Sequence, residues 1–244
     1  MNPFFESAIT ISKELKKLIT AEAINSFGKT MYQGDNANYC ISLFQENLIE
    51  PNENIKLFLH HVGQALIKWA NNKLHKGYFN MADVHHGSEL FLGFLPRYIG
   101  LFPDDNNAKT LILNVAEYIG NWRAESEEWF DYTNNNFKSW YLGSEGSNQN
   151  KIFKYNTADH LRFVHIALIA WEISGNTKYL KWSLDYSREF AKRILKSKNT
   201  VPVAWDTDWN EYFSEDMLTS QEKFLAANHH HLKNSSFSGI ENLI

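Results

Sequence analysis

The octapeptide DVHHGSEL, residues 83 to 90, sets an aspartate, two histidines, a serine and a glutamate within about two helical turns. His86 and Glu89 are three residues apart, so a helix puts them on one face, with Asp83 and His85 at its entry. An imidazole beside a carboxylate can hold a divalent ion, Ca or Mn being the candidates here. It can also act as a base oriented by its partner, because imidazole as a side-chain type exchanges protons near neutral pH. The same residues can instead be helix-start chemistry, with Ser88 or Asp83 as a cap and Glu89 facing the positive end of the helix dipole.

A second polar helix start follows in YNTADHLRFVH, residues 155 to 165. Helical spacing puts Asp159 and Arg162 on one stripe with His160 beside them. His165, one turn on and flanked by Leu161 and Leu168, reads as a core histidine. Asp159 and Arg162 can form a local ion pair, or the rigid donor fork of Arg162 can neutralise a substrate carboxylate. β-Elimination from a uronate needs such a cation, a base for the C5 proton and an acid for the leaving oxygen. Arg162 fits the first role, His86 or His160 the second, and Tyr141 or Tyr155 the third. A glycoside hydrolase needs carboxylates instead, from among Asp83, Glu89, Asp159, Asp206 and Asp208. Aromatic residues make up 15% of the chain, and some fall in polar stretches, NFKSWYLGSEG and AWDTDWNEYF. Such rings either pin loops or stack on sugars. On the second view Trp140 and Trp205, with Asp159 and Arg97, are the expected substrate-binding residues. A helical-repeat module that binds a glycan or a protein without catalysis is the third reading.

Composition limits what kind of chain positions these groups. With 43% apolar and 21% charged residues over 244 positions, it can bury a sizeable core as a single domain. A net charge of −4 gives no basic footprint for nucleic acid. One cysteine, Cys40, excludes an internal disulfide framework. No stretch has the apolar length of a membrane span, and MNPFFESAITISKEL lacks the features of a secretory signal. The expectation is a cytoplasmic protein, or a periplasmic or secreted one if a leader precedes the sequence.

Helical periodicity dominates. A helix is expected from Pro3 to about Ile24, with Ile9, Leu15, Leu18 and Ile19 as its apolar face. Further helices are expected over 36–49, 53–74, 87–101, 107–123, 157–174 and 177–195, with a polar loop over 125–156. Three helix starts align as a repeat: Asn54, Asn107 and Asn176, then Lys56, Lys109 and Lys178, then Phe58, Leu111 and Leu180. Connections within the pairs are short (IEPNEN, FPDDN, SGN), and those between pairs are long and polar. Alternation therefore gathers the long ones, with both polar helix starts, on one face. His229, His230 and His231 read as a solvated surface tract.

These hairpins, GSELFLGFLPRYIGLFPDDNNAKTL and HLRFVHIALIAWEISGNTKYLKW, with the turn VPVAWD after them, resemble the (α/α) toroid carbohydrate-active enzymes. That group includes polysaccharide lyases and unsaturated-uronide hydrolases, the helical pectate lyases being nearest in character. The resemblance spans roughly residues 36 to 210 and is architectural. It implies an all-α toroid, and a polysaccharide lyase that cleaves an acidic polysaccharide or oligosaccharide, with a uronide glycoside hydrolase as the alternative. The readable helices are too few to close a ring. The chain is then an incomplete toroid or the N-terminal part of a longer enzyme, with an apolar flank that favours self-association.

Overall fold

The computed structural model of the chain describes residues 3–26, 40–124, 127–197, 202 and 204–211. The 28–36 segment and the histidine tract at 229–231 lie outside the described residues.

Three helix starts organise the fold, each at a short turn where a side-chain oxygen replaces the missing backbone partner. Asn52 accepts from the N–H groups of Asn54 and Ile55 and starts α3 (Glu53–Lys73). Asp105 accepts from Asn107 and Ala108 and starts α6 (Asn106–Ile119), and Asn176 accepts from Lys178 and starts α8 (Thr177–Lys196). The caps correct the repeat. They fall two residues before the aligned asparagine in the first two units and on it in the third, so the triple register is a double one.

Each of these helices packs on the one before it: α3 on α2 (Ile41–Ile49), α6 on α5 (Phe94–Leu101) and α8 on α7 (Arg162–Ser174). α4 (Val84–Leu92) precedes α5. The first members form one layer, with α2 against α5 and α4 against α7, and α3 and α6 pack together behind them. α1 (Pro3–Ser26) packs against α3. Its Ile9 and Leu18, expected to face the core, are exposed. The turn between α7 and α8 closes on Gly175, whose φ of +67° suits a residue without a Cβ.

The helix expected over 87–101 is broken in two at Gly93. Pro96 is the cause. It has no N–H to give, and its ring collides with the carbonyl four residues back, that of Leu92. Arg97 satisfies the carbonyls left over, donating through Nη1 to Leu92 (3.4 Å) and Gly93 (2.7 Å). α6 stops at Ile119 rather than Arg123, because Asn121 takes up a left-handed conformation (φ 55°). The Asn121 side chain then accepts from the N–H groups of Trp129 and Phe130 and donates to the Phe130 carbonyl.

The long connections are bound to one another by short strands. β1 (Ala82–Asp83) pairs antiparallel with β4 (Tyr141–Gly143), which pairs with β5 (Gly146–Ser147). β2 (Phe130–Asp131) pairs with β3 (Asn136–Phe137), and β6 (Tyr155–Asn156) with β7 (Trp205–Asp206). Strand pairing thus joins the connection before α4, the one before α7 and the segment after α8, so these long segments share one face as expected. The 125–156 stretch, expected as loop, carries most of this pairing. Gly77 makes the turn before β1 (φ +101°), where a Cβ would come within 2.4 Å of Val115.

One core runs through both helical layers and continues beneath the loops. Trp129, Trp140, Trp205 and Trp209 all belong to it. Among the described residues no helix is long and apolar enough to cross a membrane.

Candidate functional site

Asp83 ends β1 and caps α4, accepting from the His86 N–H at 3.0 Å. Its other oxygen is 2.7 Å from His86 Nδ1. Within α4 the residues Val84, Gly87, Ser88 and Phe91 recur at helical spacing and are buried. Two polar stripes flank them. His85 and the buried Ser88 meet Arg162 of α7, whereas His86 is 51% exposed.

The start of α7 is built differently from the expectation. A 3-10 turn, Ala158–Leu161, precedes the helix, and Thr157 caps it, so α7 begins at Arg162. His160 closes this cap from within: its Nδ1 accepts from the Thr157 N–H (3.1 Å) and its Nε2 lies 3.2 Å from the Ser139 carbonyl. The ring packs on Phe137 at 4.9 Å and is wholly buried. Burial pushes its pKa down to about 4, against the opposing pull of the Ser139 hydrogen bond and the Asp159 charge. His160 is therefore a core histidine with no path to a substrate, and its expected role as a base is withdrawn. His165, expected in the core, is exposed, because Phe163, Val164, Ile166 and Ala167 take the buried stripe of α7.

What remains converges. Arg162 forms no ion pair with Asp159 within 4 Å; it reaches across to α4 instead. Its Nε donates to Ser88 Oγ at 2.8 Å, and its Nη1 lies 3.3 Å from His85 Nδ1. The same His85 nitrogen is 3.6 Å from an Asp159 oxygen, and both of those side chains keep 28% of their surface exposed. One nitrogen cannot both accept from Arg162 and donate to Asp159, so the tautomer of His85 decides which neighbour it serves. Burial pushes the Asp159 carboxyl upward, but the His85 hydrogen bond and the charges of His85 and Arg162 outweigh it and hold the pKa below the usual carboxylate range.

Tyr141 stands across the β1–β4 ladder from Asp83. Burial, and then the Asp83 charge, raises its pKa, so its hydroxyl keeps its proton. Two carboxylate–imidazole pairs, Asp83–His86 and Asp159–His85, thus flank one helix start, with a cation and a protonated phenol beside them. That is the equipment for holding an anionic group and moving a proton.

Other expected site residues lie elsewhere. Trp140 and Trp205 are 2% and 3% exposed and cannot stack on a sugar; they pack the loop core. Tyr155 is buried as well. Arg97 caps the end of α4. Asp206 is engaged in its own loop, accepting from the N–H groups of Asp208 and Asn210. Among the described residues no three His, Cys, Asp or Glu side chains gather as a metal site. The His86–Glu89 pair is therefore not completed to a three-ligand site among the described residues.

The sequence by itself assigns His85 and Ser88 no catalytic or binding role. Their i,i+3 spacing on the α4 stripe next to His86–Glu89 was the available signal. Only the packing of α4 on α7 says which stripe meets Arg162.

No family model matches the sequence, and no curated protein matches it. Among solved structures the chain is similar to an unsaturated glucuronyl hydrolase from Streptococcus agalactiae, with a TM-score of 0.53 and 13% identity over 76% of this chain. The match spans 42% of that protein's chain. At this identity the likeness is one of fold: a mainly helical architecture resembling a toroid-fold hydrolase, with no closed toroid among the described elements.

Proposed function

We propose that the chain is a glycoside hydrolase, or the part of one that carries these groups, acting on a uronide oligosaccharide at the start of α4. The carrying observation is the convergence of Arg162, His85 and Asp159 at a solvent-reachable junction of two helix starts. The fold likeness supports hydrolysis over the polysaccharide lyase reading, since the similar structure is a glucuronyl hydrolase.

Each group has a task that its surroundings suit. Arg162, oriented by Ser88, holds the sugar carboxylate. Asp159, kept ionised by its neighbours, takes the proton of the attacking water, directly or through His85. The water oxygen bonds to the anomeric carbon as the glycosidic bond breaks, and Tyr141 gives its proton to the leaving oxygen. The cycle closes when Asp159 releases the water's proton to solvent and Tyr141 takes one up from it.

Incubation with unsaturated and saturated uronide oligosaccharides tests the reading. Hydrolysis of an unsaturated uronide yields new reducing ends, and the freed hemiacetal opens to an enol that tautomerises to a keto acid, so the ultraviolet absorbance of the C4–C5 double bond is lost; β-elimination increases that absorbance. Binding with neither change would favour a non-catalytic glycan-binding module. Asp159→Asn is expected to lower kcat by about a hundredfold or more, and Arg162→Ala chiefly to raise KM for uronides.

A further inference from the structure

A second polar concavity, of about 580 Å³, opens at the other end of the helical layers. Its walls are the first three turns of α3, with Lys56, His60 and Gln64, and the turn between α5 and α6, with Phe102, Asp104 and Asn107. The connection carrying Asp83 leaves the far end of α3 at Lys73, roughly 14 Å beyond Gln64 and roughly 26 Å beyond Lys56 at 1.5 Å per residue. The concavity is thus separate from the uronide site proposed above.

Its floor is rigid. Asp105 caps α6 with one oxygen and with the other accepts from Tyr98 Oη (2.7 Å) and Gln64 Nε2 (2.6 Å). Gln64 Nε2 also donates to Tyr98 Oη at 2.8 Å. The Gln64 amide plane is therefore fixed, while its carbonyl oxygen accepts from no group among the described residues. Above this floor, the side chains of Lys56, His60, Asp104, Asn106 and Asn107 make no hydrogen bond or ion pair among the described residues. A half-buried aromatic pair, Phe102 against His60 with centroids 5.1 Å apart, supplies an apolar flank.

We propose that this concavity is a binding site for a neutral sugar. Each sugar hydroxyl donates and accepts at once, and the rim offers both: donors on Lys56, acceptors on Asp104 and Gln64, and amides with both on Asn106 and Asn107. Lys56 lines one wall and Asp104 the other, so the rim's charges offset and give little net preference for an anion or a cation. The ring face of Phe102 can meet the C–H face of a pyranose. With Asp105 committed to its cap, no second carboxylate is left for glycoside cleavage, so the site binds without hydrolysing. It would hold a neutral stretch of a glycan away from the reacting uronide.

Amide chemical-shift titration of the 244-residue protein with glucose, galactose, N-acetylglucosamine and their disaccharides tests this. The expected result is saturable shifts at 56–64 and 101–107 for at least one of them, with a millimolar Kd. Asp104→Ala and Asn107→Ala, both at exposed positions, should each weaken that Kd by about tenfold and leave uronide turnover unchanged. Arg162→Ala should bind the neutral sugar like the wild type, so failure here is distinguishable from failure of the uronide reading. The proposal is overturned by an absence of saturable shifts, by binding that both substitutions leave unaltered, or by shifts confined to 83–89 and 159–162. Tighter binding of inorganic phosphate or glucuronate than of any neutral sugar at this pocket also overturns it.

Discussion

Arg162 and Ser88 are 74 positions apart in sequence and share a 2.8 Å hydrogen bond, with Arg162 Nε as donor. Ser88 is wholly buried, and its own hydroxyl proton goes to the Val84 carbonyl at 2.7 Å. The serine oxygen is therefore held with a lone pair toward Arg162, and α4 orients the guanidinium that begins α7.

Removing that oxygen should separate position from presence. Ser88→Ala keeps Arg162 and deletes its anchor, at a stability cost of about 1–2 kcal/mol. KM for a uronide should rise severalfold with kcat little changed. Urea denaturation and initial-rate kinetics check both halves, and an unchanged KM would show that Arg162 is held by other contacts.

His160 should make the fold sensitive to acid. Its pKa falls from 6.5 to about 4 on burial, so the unfolded chain binds the extra proton first as pH drops. The stabilisation is complete above about pH 6.5 and is lost progressively toward pH 4, a total on the order of 3 kcal/mol. Asp159, whose pKa is lowered, adds a further loss at still lower pH, below the usual carboxylate value. Denaturant midpoints measured from pH 7 to pH 4.5 should fall in the wild type. They should fall less in His160→Gln, which has no proton to gain.

Gly63 tests the packing beneath the second concavity. A Cβ there would lie 2.1 Å from the Tyr98 ring, whose hydroxyl is tied to Gln64 and Asp105. Gly63→Ala should destabilise by about 1–3 kcal/mol through overpacking, although alanine favours helix. Tyr98→Ala in the same background should recover part of the loss, which a double-mutant cycle in urea reads directly.

Self-association should follow from the flank that α1 and the first hairpin leave open. Ile11 and Leu18 on α1, and Leu48 and Ile49 at the end of α2, are each more than 60% exposed. Sedimentation velocity across a range of concentrations should show reversible association. Leu48→Glu with Ile49→Glu should reduce it without altering the circular dichroism spectrum.

The sequence alone determined the helices and their pairing. Periodicity of apolar residues and the short Asn- and Asp-rich turns are local signals, and local hydrogen bonds decide where a helix starts. Even Asp83 was legible as a cap, because the acceptor and its donors lie within three residues. Tertiary structure decided which polar stripe mattered. His85–Ser88 and His86–Glu89 are equivalent by spacing, and only the contact of α4 with α7 sends Arg162 to the first. The exchange between His160 and His165 has the same origin. Five residues apart, the two histidines differ in fate because the 3-10 turn at Ala158–Leu161 rotates the start of α7, which turns His160 inward and leaves His165 in solvent. The tryptophans followed the same rule: composition left them open between pinning loops and stacking on sugars, and the loops joined by strand pairing bury Trp140 and Trp205.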